Sequence, residues 1–284
     1  MQPGRPPIST TTRLYGIFAD STGQRPMMAP ALFNALFDRH GIDAIFVPFQ
    51  VTAAHVAAAI AGMRHLRNFA GFAVTMPHKA AVAQLCDTLL PNAHACGVVN
   101  TVRIDPDGRL IGETFDGVGM VQALTAYRAL DARTRVLLVG AGGVGQAIAV
   151  ALALTGVGSL TLTNRTQAKA DALAHTVRRA APACTVEARA AVDPAGFDVV
   201  INATSLGQQG TGPGPLPFDV SQVSGTALVA DVVSVPERTS LLQAAQARGL
   251  AIVRGVEMMT PQIEIVAEFL GMTAPVSVAS DGIA

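Results

Sequence analysis

The sequence predicts an α/β protein of two domains, the second a doubly wound parallel sheet, and three observations predict it. Residues 135–166 run as an apolar strand, a glycine turn, a helix and a second strand within about 30 residues. Beyond Gly117 strands and helices alternate regularly, with further apolar strands at 199–203, 227–232 and 251–253. At 284 residues the chain is long enough to bury a core in each of two domains.

Residues 1–12, MQPGRPPISTTT, lack the apolar core of a signal peptide and read as a disordered lead-in. Residues 14–18 and 44–49 read as short strands around a helix at 30–39, with a second helix at 53–67. A third strand, 71–75, runs into Pro77, where a helix can start with proline in its first turn. Residues 98–104 and 109–112 form a hairpin across Asp105-Pro106-Asp107-Gly108, which closes an N-terminal α/β domain near Gly117. Later, the Gly- and Pro-rich segment 207–217 reads as a loop of functional length. A last helix, 261–270, has no strand after it and is placed back on the first domain, and the tail 273–284 reads as disordered. The expected domains are therefore 1–117 with 256–284, and 118–255.

Half of the residues are apolar, 14% are charged, and 20 basic residues cancel 20 acidic ones. A nucleic-acid or anionic-membrane surface shows as a basic excess, so the expected partner is a small molecule, with no nucleic acid and no membrane. The apolar run 136–158 is as long as a membrane span, but its glycine cluster and flanking strands assign it to the nucleotide fold. A cytoplasmic monomer or homodimer is expected. Cys86, Cys96 and Cys184 have neither metal nor redox spacing and read as reduced structural thiols, with no metal site.

Gly140, Gly142 and Gly145 fall at the G-x-G-x-x-G spacing between the strand and a helical stretch at 146–154. A pyrophosphate needs backbone N–H groups aimed at it; a helix N-terminus supplies them, and glycine lets the backbone come close. The second half is thus Rossmann-like. An NAD site places an acidic residue about 20 residues further on, where this chain has Asn164, Arg165 and Thr166. Arg165 can pair with a 2′-phosphate while its guanidinium lies on the adenine, and Asn164 and Thr166 can donate hydrogen bonds. The expected cofactor is NADP(H). The plainer alternative makes Thr166 a helix cap and Arg165 a solvated charge.

Nicotinamide chemistry also needs a group that gives or takes a proton as hydride moves. Lys79, after VTMPHK, and Asp116, in GETFDG, both stand at element ends, where sites form. Taken alone, Lys79 reads as a solvated helix charge, Asp116 as an N-cap for a helix from Gly117, and His78 as structural or surface.

Six motifs carry a resemblance: Val74 to Lys79, Val98 to Thr101, Asp116 to Gly119, Gly140 to Gly143 with Asn164-Arg165-Thr166, Asn202 to Ser205, and Gly255 to Gln262. In this order, over nearly the whole chain, they resemble the shikimate dehydrogenase family. The resemblance implies NADP-dependent reduction of a 3-keto group on a cyclohexene acid within the shikimate pathway of aromatic amino acid biosynthesis. It implies Lys79 as acid/base with Asp116 beside it, the two forming one coupled site. It also implies that Thr75, Asn100 and Gln262 line the substrate pocket. Gly140, Ala141, Gly142, Gly143, Val144, Asn164, Arg165, Thr166 and Lys169 would hold the cofactor, with Val232 and Gly255 bordering its nicotinamide.

The departures from the family pattern are as informative. The H-S-x-S-P loop, whose serines hold the shikimate carboxylate, is matched by Pro26, Met27, Met28, Ala29 and Pro30. The asparagine before V-T is Ala73, the N-T-D triplet is Thr114-Phe115-Asp116, and the tyrosine of D-x-x-Y is Ser234. Each hydrogen bond lost to a charged group costs about 1.5 to 3 kcal/mol, so carboxylate recognition is weakened while ring chemistry survives. Arg25 is the replacement cation in that loop. A related quinate, aminoshikimate or other cyclic polyol dehydrogenase is the first alternative, and a catalytically silent NADPH-binding sensor the second. A nucleotide-fold methyltransferase would want an acidic residue where Asn164 stands.

Overall fold

The computed structural model describes residues 5–20, 27–209 and 214–272. The first half runs β1 (Arg13–Ala19), α1 (Met28–His40), β2 (Ala44–Gln50), α2 (Val56–Met63), β3 (Phe69–Val74), α3 (Lys79–Ala83), β4 (Thr88–Leu89), α4 (Pro91–Cys96), β5 (Thr101–Ile104) and β6 (Leu110–Glu113). These strands make one mixed sheet in the order β2-β1-β3-β5-β6-β4. β2, β1 and β3 are parallel, so each return needs a helical crossover, and their C-terminal ends share one edge. β5 and β6 are the antiparallel hairpin, with β5 also antiparallel to β3.

The second half runs α5 (Asp116–Thr125), β7 (Arg135–Val139), α6 (Gly143–Thr155), β8 (Ser159–Thr163), α7 (Gln167–Ala180), β9 (Thr185–Ala188), β10 (Val199–Asn202), β11 (Leu228–Asp231), α8 (Ser240–Ala247), β12 (Ala251–Val253) and α9 (Gly255–Phe269). Its six strands are all parallel, in the order β12-β11-β10-β7-β8-β9. The order reverses between β7 and β10, and the crevice at the strand ends of such a reversal is where this fold binds nucleotides. Helices cover the sheet, which is why the central strands read as unbroken apolar runs rather than alternating ones. Val136, Leu137, Leu138, Val199, Val200 and Ile201 are fully buried.

α9 returns to the first half, as its position after the last strand predicts. Val266, Ala267 and Leu270 share a core cluster with Tyr15, Phe37 and Phe46, and the Tyr15 hydroxyl donates to the Leu270 carbonyl at 3.2 Å. The helix begins at Gly255 rather than Pro261, because Arg254 and Glu257 form a capping box that starts it earlier and leaves the proline inside. Other boundaries also differ from expectation. The helix expected at Pro77 starts at Lys79, and the Met76–Pro77 peptide is cis. α2 is confined to Val56–Met63, and the short β4, α4 and β9 went unforeseen because two to six residues carry too little periodicity. The lead-in is tied down at Arg5, which pairs with Asp38 at 2.9 Å and donates to the Asn34 carbonyl. The tail 273–284 and residues 210–213 of the Gly- and Pro-rich segment lie outside the described residues. Among the described residues no helix is long and apolar enough to cross a membrane.

Candidate active site and dinucleotide cradle

Four elements bring four polar side chains to one point. Lys79 opens α3 just past β3, Asp116 opens α5 just past β6, Asn100 immediately precedes β5, and Gln262 comes from the middle of α9. Lys79 and Asp116 are only 7% and 6% exposed. The Lys79 ammonium donates to Asp116 Oδ2, while Asn100 Nδ2 donates to Asp116 Oδ1 at 3.0 Å and to Gln262 Oε1 at 3.2 Å. Asn100 Oδ1 in turn accepts from the Thr101 hydroxyl at 3.0 Å and the Phe115 N–H at 3.1 Å, and Gln262 Nε2 donates to the Met258 carbonyl.

A buried ion pair survives only where both charges are also hydrogen-bonded, and the carboxylate meets that condition on both oxygens. The ammonium has three donors and one partner among the described residues, which leaves two for an oxygen from outside. The plainer readings of these residues therefore fail. Lys79 is not solvated, and Asp116 is not a cap: Phe115 holds the N-cap position, and the carboxylate turns to Lys79 and Asn100. His78 is structural, buried with Nε2 2.9 Å from the Val51 carbonyl. Thr75 stands one residue past β3, its N–H on the Phe18 carbonyl, beside Asn100, whose carbonyl accepts from Val74.

The glycine turn lies against this group. A Cβ on Gly145 would stand 2.1 Å from the Gly140 carbonyl oxygen, so the spacing is enforced by backbone contact. Gly140 has φ of +115°, and Ala203 after β10 closes over it. Gly142 is the N-cap of α6, with open space where its side chain would be and no side-chain cap on the helix. Unclaimed N–H groups at a helix start beside open space fit a diphosphate. A Cβ on Gly143 would meet Lys79 Cδ at 3.2 Å, which places the lysine stem directly on the turn, with Ala141 and Val144 flanking.

Arg165 and Thr166, after β8, and Lys169, in the first turn of α7, are all exposed. Thr166 occupies the N-cap of α7 without a side-chain bond to it, so its hydroxyl is not engaged as a cap. Asn164 differs from expectation. Its Oδ1 accepts from the Ala141 N–H at 3.1 Å and its Nδ2 donates to the Thr166 carbonyl at 3.0 Å, so it pins the glycine turn to β8. Val232 donates its N–H to Asn202, and Gly255 packs so closely on the Val233 carbonyl that a Cβ would stand 2.5 Å from it.

Asp231 is the aspartate of the D-x-x-Y pattern that ends at Ser234, and its burial and partners were not foreseen. It is fully buried, with Oδ1 accepting from Asn202 Nδ2 and the Val233 N–H and Oδ2 from the Thr239 hydroxyl at 2.7 Å. Burial pushes its carboxyl up to about 6, and these bonds pull the other way. Its signals were that motif and an acid ending the apolar run LVAD. The cysteines are free and structural, burial pushing Cys86 up to about 12 and Cys96 to about 11. Among the described residues no group of three His, Cys, Asp or Glu could hold a metal. Arg25 and Pro26 lie outside the described residues.

Residues 25–102 match the model of the shikimate dehydrogenase substrate binding domain, and residues 124–209 that of shikimate / quinate 5-dehydrogenase. The shikimate dehydrogenase (NADP(+)) of Lysinibacillus sphaericus (strain C3-41) is 37% identical over 82% of this chain and 84% of its own. Among solved structures, 5-ketofructose reductase of Gluconobacter sp. strain CHM43 is 32% identical with a TM-score of 0.81, over 93% of this chain and 94% of that one. A shikimate dehydrogenase in complex with NADP+ is 27% identical with a TM-score of 0.85, over 96% of this chain and 94% of that one.

Proposed function

This chain belongs to the shikimate dehydrogenase family, and from that premise we propose that it interconverts a ring ketone and a secondary alcohol on a polyhydroxylated small molecule of the shikimate type, with NADP(H) as cofactor. The observation that carries the reading is the buried Lys79–Asp116 pair, set against the glycine turn with two ammonium donors unclaimed among the described residues. A secondary alcohol or ketone next to a hydroxyl-bearing carbon, as in shikimate and in a keto-sugar, is the pattern such a pair addresses.

NADP(H), when bound, supplies or accepts the hydride. The α6 N–H groups would hold its diphosphate and Arg165, Thr166 and Lys169 its 2′-phosphate, with Val232 and Gly255 on the nicotinamide side. On the substrate side, Lys79 Nζ binds the reacting oxygen, giving its proton as the alcohol forms and taking it back in the reverse direction. Asp116 fixes the ammonium and accepts from a neighbouring ring hydroxyl, while Thr75, Asn100 and Gln262 orient the ring. In a site this buried, a donor aimed at developing charge stabilises it far more than water would. Residues 1–117 with 256–284 form the substrate domain and 118–255 the cofactor domain, in a cytoplasmic monomer or homodimer.

The test is Lys79→Ala. Turnover followed by NADPH absorbance should fall by about 10² or more, with NADPH affinity retained in a fluorescence titration. Unchanged turnover removes Lys79 from the mechanism.

A further inference from the structure

We infer that Asp231 is a positioning residue for the nicotinamide half of the cofactor; the inference rests on the NADP(H) reading of the glycine turn. The crevice opens where the strand order reverses, between β7 and β10. The glycine turn follows β7, and Arg165, Thr166 and Lys169 follow β8 on one side of it. A dinucleotide lies across such a crevice with its diphosphate at the helix start. With its adenosine half over β8, its other half falls over the ends of β10 and β11, on the side of α9, whose Gln262 meets Asn100 of the polar network. Asp231 is the last residue of β11.

Its carboxyl holds together the backbone segments that leave these strands. Oδ1 accepts from the Val233 N–H at 3.0 Å, in the turn after β11, and from Asn202 Nδ2 at 2.9 Å, at the end of β10. Oδ2 accepts from the Thr239 hydroxyl at 2.7 Å, at the N-cap of α8. Asn202 passes the constraint on. Its Oδ1 accepts from the Thr204 N–H at 3.0 Å and the Thr204 hydroxyl at 2.7 Å, and its carbonyl accepts from the Val232 N–H at 3.0 Å. The turn so fixed is the one on which α9 starts: a Cβ on Gly255 would stand 2.5 Å from the Val233 carbonyl oxygen and 2.7 Å from that of Val232. Val232 is partly exposed while Asp231 before it is fully buried, so the carboxyl acts through the Val232–Val233 backbone. Residues 232–239 belong to no helix or strand, and a buried acceptor that satisfies three donors gives them one arrangement. A wall set in advance needs no ordering when a ring binds against it.

The experiment titrates NADPH and adenosine 2′,5′-bisphosphate, which carries the 2′-phosphate and lacks the nicotinamide, into the full chain and its variants by calorimetry. Asp231→Ala should weaken NADPH binding by about tenfold or more and leave that of adenosine 2′,5′-bisphosphate unchanged. Asp231→Asn, which can keep all three bonds, should hold NADPH within about twofold of the native affinity. An equal loss for both molecules, or no loss for either, overturns the inference and leaves the cofactor reading standing, as does an asparagine variant as weak as the alanine one. A native chain that binds neither molecule overturns both. Should Asp231→Ala fail to fold, Thr239→Val removes one of the three bonds at little change in volume and should weaken NADPH alone by about threefold. An unmoved ratio of the two affinities in that variant overturns the inference.

Discussion

The Asp231→Asn substitution should convert a pH-dependent part of the stability into a constant one. Asp231 rises from an ordinary value of 3.8 to about 6, with burial as the largest cause. Two pKa units, at about 1.4 kcal/mol each, make this worth about 3 kcal/mol. Because the folded-state value is raised, the folded protein holds a proton that the unfolded chain has released throughout that window. The group's contribution is therefore fully present below about pH 4, declines as pH rises through the window, and is flat above about pH 6. Asparagine is nearly isosteric: its oxygen can still accept from Asn202 and Val233, and its amide can donate to the Thr239 hydroxyl in place of the bond Asp231 Oδ2 accepts. Urea unfolding of both proteins across this range isolates the group, because other titrations cancel in the difference. The stability of the variant relative to the native chain should grow by about 3 kcal/mol from about pH 4 to about pH 7. A constant difference would show that the three hydrogen bonds offset burial and leave the folded-state value where the unfolded one lies.

The Lys79–Asp116 pair predicts strong coupling. Lys79→Met leaves a carboxylate that is 6% exposed with, among the described residues, only Asn100 as partner, which should cost about 3 to 5 kcal/mol in denaturant unfolding. Lys79→Met combined with Asp116→Asn removes the stranded charge and should recover most of that loss, so single costs that simply add would refute the coupling. Arg165→Glu puts a carboxylate where the 2′-phosphate is proposed to sit, and the ratio of kcat/KM with NADPH to that with NADH should fall by about 10². An unchanged ratio would return Arg165 to the role of a solvated charge.

What could be read in advance was whatever is enforced over short sequence distance. Gly140 and Gly145 must be glycine because their backbones touch across five residues, and the buried parallel strands write themselves as apolar runs such as VLLV and VVIN. The polar network spans the chain instead: Lys79 meets Asp116 over 37 residues, Asn100 meets Gln262 over 162, and Asp231 meets Asn202 over 29. Neither propensity nor periodicity encodes such pairings, which is why the D-x-x-Y pattern marked Asp231 without its partners Asn202 and Thr239. Asp116 shows how the same residues can give a local signal and a tertiary one that differ. Its run Asp-Gly-Val-Gly looks like a capped helix start loosened by two glycines. In the fold, a Cβ on Gly117 would stand 2.3 Å from the Ala147 carbonyl of α6, and one on Gly119 would stand 2.4 Å from the Met258 carbonyl of α9. The glycines are there so that α5 can press against both helices at once. That double contact seats the Asp116 carboxylate between the glycine turn served by α6 and the Gln262 amide carried by α9, where it meets the ammonium of Lys79.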